Sequence, residues 1–197
     1  GGDGNASSTV GHNLSSTPDV IIAKDYSNTR NWQVYHSGAG STYKFGGNLN
    51  LSNAFNTSSG TNGAFDDQSA TSINFTNGSS TINNLNADGA VVIAYCFHSV
   101  TGYSKFGSYT GNGSTTGPTV TTGFQPDFLL VKDVTNSSTN WRIVDSVRGT
   151  NATDGSGLFP NLDIAEQTDG TQHAVEFQSN GFQIRNATSG WNNNSAS

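Results

Sequence analysis

"PDVIIAKD" occupies Pro18–Asp25, and "PDFLLVKD" occupies Pro126–Asp133, 108 residues further along a chain of 197. Each phrase encloses four apolar residues, Val20–Ala23 and Phe128–Val131, between Pro-Asp and Lys-Asp. Continuous apolar runs too short for a helix are what strands covered on both faces carry. The likeness extends outward with its order kept. "NWQVYHSGAG" (Asn31–Gly40) matches "NWRIVDSVRG" (Asn140–Gly149), setting Trp32 against Trp141. Upstream, "GDGNASSTV" matches "TGNGSTTGPTV". Downstream, "INFTNGSSTI" matches "VEFQSNGFQI", which sets Phe75 against Phe177 and Ile82 against Ile184. A module of about a hundred residues, an ordinary domain size, is therefore stated twice. The organisation expected is one module over residues 1–100, a linking segment over 101–109 and a second module over 110–197. Ile22, Leu130, Trp32, Trp141, Phe75 and Phe177 are its expected core markers.

Turn formers punctuate the chain, as in "NTSSGTNG" (Asn56–Gly63) and "TGNGSTTGP" (Thr110–Pro118), where residues that accept positive φ or bond their own backbone cluster. Asn180-Gly181, flanked by Phe177, Phe182 and Ile184, is a hairpin signal. No long segment has a helical period, although "LFPNLDIAEQT" (Leu158–Thr168) is expected to hold one helical turn after Pro160. Short strands without crossover helices imply an all-β chain of two tandem antiparallel sandwiches, of jelly-roll or lectin-like type. The copies differ at one place. After "INNLNADG" the first continues into "AVVIAYCFHSV", its most apolar strand and expected to be buried, whereas the second reaches "WNNNSAS". The second module thus lacks its last strand in this chain, which implies either a longer parent polypeptide or a strand donated by another subunit.

Composition excludes several function classes. With 8 Lys and Arg residues and a net charge of -6, there is no basic footprint for nucleic acid. The run Ala90–Phe97 is far shorter than the roughly 20 apolar residues of a membrane-spanning helix, so no membrane insertion is expected. Hydrophobic residues are 32 % and charged residues 11 %, but the apolar ones gather into runs, which marks a folded chain. Cys96, alone and inside an apolar run, is a structural residue, not half of a disulfide.

The catalytic inventory is thin. His12, His36, His98 and His173 share no ligand spacing and none recurs in the other copy. Cys96 and His98 stand side by side on one strand, so they do not form a nucleophile and base pair. Asp66, Asp67, Asp88 and Asp154 lie in Gly- and Asn-rich loops, but no stretch matches a twelve-residue calcium loop. No enzyme, metal or cofactor is read from these residues. Asn-x-Ser/Thr acceptors, from Asn5 to Asn193 and including Asn56, Asn77 and Asn151, are as frequent as a chain this rich in Asn, Ser and Thr would produce. Trp191, between Gly190 and Asn192, is the candidate exposed aromatic for stacking on a sugar, with Tyr103 and Tyr109 beside it as ligand-binding candidates.

The segment "AYCFHSVTGYSKFGSYTGNGSTTGPTVTTGFQPDFLLVKDV" (Ala94–Val134), followed by "NWRIVDSVRG" and "LDIAEQTDG", resembles a domain of poorly characterised function that recurs, often in tandem, in structural proteins of marine tailed bacteriophages. The resemblance implies a non-enzymatic virion protein, of tail-fibre, head-fibre or capsid-decoration type. Its expected partners are other virion proteins, further copies of itself (a trimer among the options) and host-surface glycans. It carries over no catalytic residue. The alternative is a secreted or cell-surface adhesin or filament subunit assembled by strand donation.

Overall fold

The computed structural model describes residues 2–5, 7–40, 46–55, 64–76, 84–148 and 155–193. The turn cluster Asn56–Gly63, Ile82, Asp154 and the acceptors Asn56, Asn77 and Asn151 lie outside the described residues. The chain divides into two compact units. The first is Gly1–Asn50, Phe55–Ser99 and Phe106–Ser108; the second is Leu51–Ala54, Val100–Lys105 and Tyr109–Ser197. The expected link over 101–109 is therefore split between the two, not a separate segment.

The first unit contains β1 (Ser7–Gly11), β2 (Val20–Asp25), β3 (Gln33–His36), β4 (Gly47–Asn48), β5 (Ser72–Thr76) and β6 (Val92–Phe97). One antiparallel sheet runs in the order β4-β3-β2-β6, and β1 pairs with β5 in another. Ile21, Ala23 and Tyr35 of the first sheet meet Phe65, Ile73 and Phe75 of the second layer over Leu85, a two-layer sandwich core. The second unit contains β7 (Thr119–Thr121), β8 (Phe128–Val131), β9 (Arg142–Asp145), the single-turn helix α1 (Gly170–His173), β10 (Val175–Gln178) and β11 (Gly181–Ile184). There β8 pairs with β9, and β10-β11-β7 forms the facing layer. Leu129, Val144, Val175, Phe182, Ile184 and Trp191 fill its core. The chain is all-β, with sandwich layers in each unit.

Strand pairing in the second unit follows that in the first. β8 lies on β9 with Leu129 opposite Val144, as β2 lies on β3 with Ile21 opposite Tyr35. β7 lies on β11 with Val120 opposite Phe182, as β1 lies on β5 with Val10 opposite Ile73. This register corrects one match made from sequence. Phe75, bridged to Phe65, has its counterpart in Ile184, which is paired with Val175; Phe177 is on the neighbouring hairpin arm and is half-buried. The hairpin itself turns at Ser179-Asn180, one residue earlier than the Asn-Gly signal, because Gly181 already pairs with Gln178. A Cβ at Gly181 would overlap the Val120 carbonyl oxygen, so this glycine serves the close approach of β7.

Four polar clamps recur, and two of them explain why the repeated phrase keeps its ends. Asp25 is fully buried and accepts from Ser27 N (2.9 Å), Ser27 Oγ (2.6 Å), Asn28 Nδ2 (3.0 Å) and Arg30 Nε (2.7 Å). Asp133 accepts likewise from Thr135 N (2.9 Å), Thr135 Oγ1 (2.8 Å) and Asn136 Nδ2 (2.7 Å). The turn that follows is one residue longer in the second unit, and there Ser138 sits at φ 70°, the one non-glycine residue with positive φ among those described. At the other end of the phrase, Asp19 accepts from Ser37 Oγ (3.0 Å) and Asp127 from Ser146 Oγ (2.8 Å). Asn50 Oδ1 accepts from Trp32 N (2.9 Å), and Asn161 Oδ1 from Trp141 N (3.0 Å). Asn86 and Asn192 each take an N–H at the start of their unit, from Asp3 (3.3 Å) and Asn112 (2.9 Å), and each donates back two residues on, to Asn5 O (3.1 Å) and Ser114 O (2.6 Å).

Several expectations about burial are corrected. In β2 and β8 the inward residues are Ile21, Ala23 and Leu129; Ile22 and Leu130 point to the opposite face, and Leu130 is 38 % exposed. Strand alternation forces this once one face is chosen. Trp141 is buried, but Trp32 is 36 % exposed. The buried strand expected at β6 is, among the described residues, a sheet edge whose Ile93, Tyr95 and Phe97 are exposed while Val92, Ala94 and Cys96 pack inward. Pro160 and Asn161 form a plain turn, and the short helix begins instead at Gly170, where the Asp169 side chain accepts from Thr171 N.

Candidate functional site

Three places in the molecule combine chemistry with access or with a cost that needs a reason. The first is a cleft of about 660 Å³ in the first unit, between β1 and β5 on one side and β6 on the other. Its lining includes Asp3, Val10, Ile73, Asn86 and Cys96. The Asp3 carboxyl is held down to about 2 by the hydrogen bond from Ser8 and those from Asn5, so its oxygens are engaged within the chain. Burial pushes the Cys96 thiol up, which keeps it protonated and weakly nucleophilic. The nearby His98 bonds Ser15 Oγ and Ser99 O. The cleft has polar and apolar lining, and its described residues form no nucleophile and base arrangement.

The second is a buried cation in the second unit. Arg142 is 8 % exposed, its guanidinium 5.0 Å from the Phe159 ring centre and 5.7 Å from that of Trp191. Its Nη1 donates to His173 Nδ1 at 3.3 Å, and its Nε has no hydrogen-bond partner. His173, itself buried, is pushed down to about 4 by burial and then by the Arg142 charge, with Asp169 pulling the other way. The folded value lies below that of an exposed histidine, so the unfolded chain takes up the proton first. Stability of the second unit is therefore full above about pH 6.5 and falls as pH drops toward 4, by about 3 kcal/mol if the whole shift is expressed. Urea unfolding followed by tryptophan fluorescence at neutral pH and near pH 4 should show this loss, and a His173→Gln chain should lose markedly less over the same interval.

The third is the free side of β8. In the first unit β2 is flanked by β3 and β6; in the second, β8 pairs with β9 alone among the described residues. The exposed faces differ accordingly. Phe128 is 56 % exposed, whereas Val20, at its position in β2, is 8 % exposed. Phe128–Val131 contains no charge, proline or bulge, the devices that ordinarily protect a sheet edge.

The aromatic candidates fall apart on burial. Trp191 is 2 % exposed, in the core, with its indole N–H donating to Gln172 O at 3.1 Å, so it offers no face to a sugar. Tyr109 is buried too: its hydroxyl donates to Trp191 O at 2.6 Å, and burial pushes its phenol well up. Tyr103 is 82 % exposed. The three do not form one site. The flanking Gly190 and Asn192 misled: they signal a turn, and this turn folds its tryptophan inward. The open edge, which the sequence indicated only as a missing counterpart strand, is what the structure adds.

Among the described residues no three His, Cys, Asp or Glu side chains gather to hold a metal ion, and no helix is long and apolar enough to cross a membrane. A family model described as a domain of unknown function (DUF7483) matches residues 1–197, both units together. No curated protein and no solved structure matches the chain.

Proposed function

The chain belongs to the DUF7483 family, and we propose that it is a non-enzymatic structural protein of a tailed-phage virion, of fibre or decoration type, in which one β-module is used twice. The observation that carries the structural part is the recurrence of the four clamps. Evolution of an active site varies loops on a fixed scaffold; here the loop ends themselves are what recurs, with Asp25 and Asp133, Asn50 and Asn161 in the same roles. That pattern preserves a shape, and repeated shapes on one particle gain avidity from weak contacts. The virion part rests on the motif likeness taken as a set, "GYSKFGSYTGNG" (Gly102–Gly113) followed in order by "GFQPDFLLVK" and "WRIVDSVRG". Glycan attachment rests on exposed aromatics such as Tyr103, since Trp191 is buried. Peptide mass spectrometry of density-purified particles tests the reading: peptides of this chain should appear in fixed stoichiometry with other virion proteins, and their absence would overturn it.

The open edge of β8 favours a second reading, a surface adhesin or filament subunit assembled by strand donation. Chain recovered from cell-surface filaments and not from particles would establish it in place of the first.

A further inference from the structure

We propose that the second unit carries an acid-operated latch, in which protonation of His173 releases α1 and the arm 155–159 from β9 while the sheet layers stay folded. The loss of stability in acid thereby has a location. One hydrogen bond sets the mechanism. His173 Nδ1 accepts from Arg142 Nη1 at 3.3 Å, so the closed state requires a neutral imidazole whose proton is on Nε2. Protonation turns Nδ1 into a donor and sets a second cation against the first. Neither reaches water in place, because His173 is 3 % and Arg142 8 % exposed. The Phe159 and Trp191 rings beside Arg142 attract a cation but carry no charge to neutralise two.

The groups around this pair do not absorb the added charge. At the start of α1 the exposed Asp169 carboxylate is engaged by Thr171 N (3.1 Å), Thr171 Oγ1 (2.6 Å) and Gln172 Nε2 (2.8 Å). The arm 155–159 reads Gly-Ser-Gly-Leu-Phe and has no titratable side chain. On the neighbouring elements Glu176 pairs with Arg185 (2.8 Å) and Glu166 with Arg148 (3.8 Å), while Asp133 holds Thr135 and Asn136. Lys132 Nζ is turned to Asp133 O and Thr139 Oγ1, and burial keeps the Tyr109 phenol protonated on Trp191 O. Relief therefore comes from separation.

The thinner side is the one that yields. Arg142 is fixed in β9 opposite Val131 of β8, whereas α1 is a single turn tied to the core by the Trp191 indole bond to Gln172 O (3.1 Å). The arm is joined to its surroundings by the pairs Gly157–Gln167 and Ile143–Leu158. It also lies directly on the imidazole: a Cβ added to Gly157 would come within 2.5 Å of His173 Nδ1. The ring cannot swing out without displacing the arm. Ala174 is the hinge, because its carbonyl stays bonded to Arg185 N (2.9 Å) and Asn186 Nδ2 (3.0 Å). The first unit has no charge at this place. Gln33, opposite Ala23 as Arg142 is opposite Val131, donates to Asn48 Oδ1 at 2.8 Å.

Burial and then the Arg142 charge hold His173 down to about 4, against about 6.5 for an exposed histidine, so opening becomes about tenfold easier per pH unit across that interval. Hydrogen exchange of the full chain, corrected for the intrinsic rate, should be about tenfold or more faster at pH 5 than at pH 7 at the Gly157, Gln167 and Gln172 amides. Low urea should leave those rates unchanged, as it does for a local opening, whereas the Ile184 amide in the core should stay slower and respond to urea. Titrated by NMR from pH 7 toward 3, the Trp191 indole N–H should shift in step with the His173 ring, because its acceptor moves with α1. A His173→Gln chain, whose side-chain oxygen accepts from Arg142 without titrating, should show neither change. If that chain does not fold, the paired titration of the unsubstituted chain decides. An ordinary titration of His173 near 6.5, an indole that does not follow it, or a urea response at Gly157 equal to that at Ile184 would each overturn the latch. None of these outcomes depends on whether the chain is found in virions.

Discussion

Replacing Trp191 by alanine should cost the second unit about 3–5 kcal/mol, the range for emptying a buried tryptophan site. Trp191 packs with Leu129, Val144, Val175, Phe182 and Ile184. Three further interactions depend on it: the indole bond to Gln172 O, the ring face toward the Arg142 guanidinium, and, through the adjoining backbone, the Tyr109 hydroxyl bond. Losing the ring leaves a cavity beside a buried cation that already has an unpartnered Nε, and desolvated charge with fewer neighbours is costly. Leu85 occupies the same place in the first unit, one residue before the Asn86 clamp, as Trp191 precedes the Asn192 clamp. Trp191→Leu should accordingly cost clearly less than Trp191→Ala. Trp32→Ala, at a half-open position, should change stability by about 1 kcal/mol or less. Chemical unfolding of the three variants, read by exchange at amides of each unit, gives the comparison; equal costs for Trp32→Ala and Trp191→Ala would contradict the burial described.

How much of this was legible beforehand depends on which physical rule each residue obeys. The strands were readable because Val20–Ala23 and Phe128–Val131 are apolar runs between turn formers, and the hairpin because Asn-Gly stood between two apolar arms. Facing was not. A continuous run such as "VIIA" has no polar residue to mark which side is solvent, so Ile22 and Leu130 were assigned inward when tertiary packing sends Ile21 and Leu129 there. "AVVIAYCF" failed for the same reason: hydrophobicity alone does not distinguish a central strand from an edge strand whose outer face is apolar. Trp191 and Tyr109 failed differently. Their sequence neighbours are Gly, Ser and Asn, and only the closure of the second unit, with Asn192 bonding Asn112 N and Ser114 O, turns both rings inward. The clamps were half legible. The Asp residues of each phrase were visible as repeated letters, but Ser37 and Ser146, which donate to Asp19 and Asp127, and Asn50 and Asn161, which accept from the Trp32 and Trp141 amides, lie too far along the chain for spacing to reveal them.

Asp25→Ala should cost the first unit about 3–5 kcal/mol, the largest penalty expected from any surface-remote polar residue of the chain. Its carboxylate is fully buried and holds a turn together from four sides, through Ser27 N, Ser27 Oγ, Asn28 Nδ2 and Arg30 Nε. Removing it withdraws the acceptor from a backbone N–H and from the Arg30 guanidinium at once. Lys24 Nζ, which donates to Asp25 O and Asn28 O, is positioned by the same turn. Burial pushes the Asp25 carboxyl up, and the bonds from Ser27, Asn28 and Arg30 outweigh it, so the folded value is below the ordinary carboxylate range. A depressed acid contributes stability above its unfolded value and loses it as pH falls through the folded one; acid should therefore erase the difference between wild type and Asp25→Ala. Asp133→Ala should cost less, since Asp133 holds Thr135 and Asn136 without an arginine, and the turn there is closed in part by Lys132 Nζ on Thr139 Oγ1 at 2.9 Å. Because Ser27 Oγ both donates to Asp25 and receives Val91 N, Asp25→Ala should also loosen the start of β6. Faster amide exchange at Val91 in that variant would link the repeated aspartate to the strand that closes the sheet, and unchanged exchange there would confine its role to the turn.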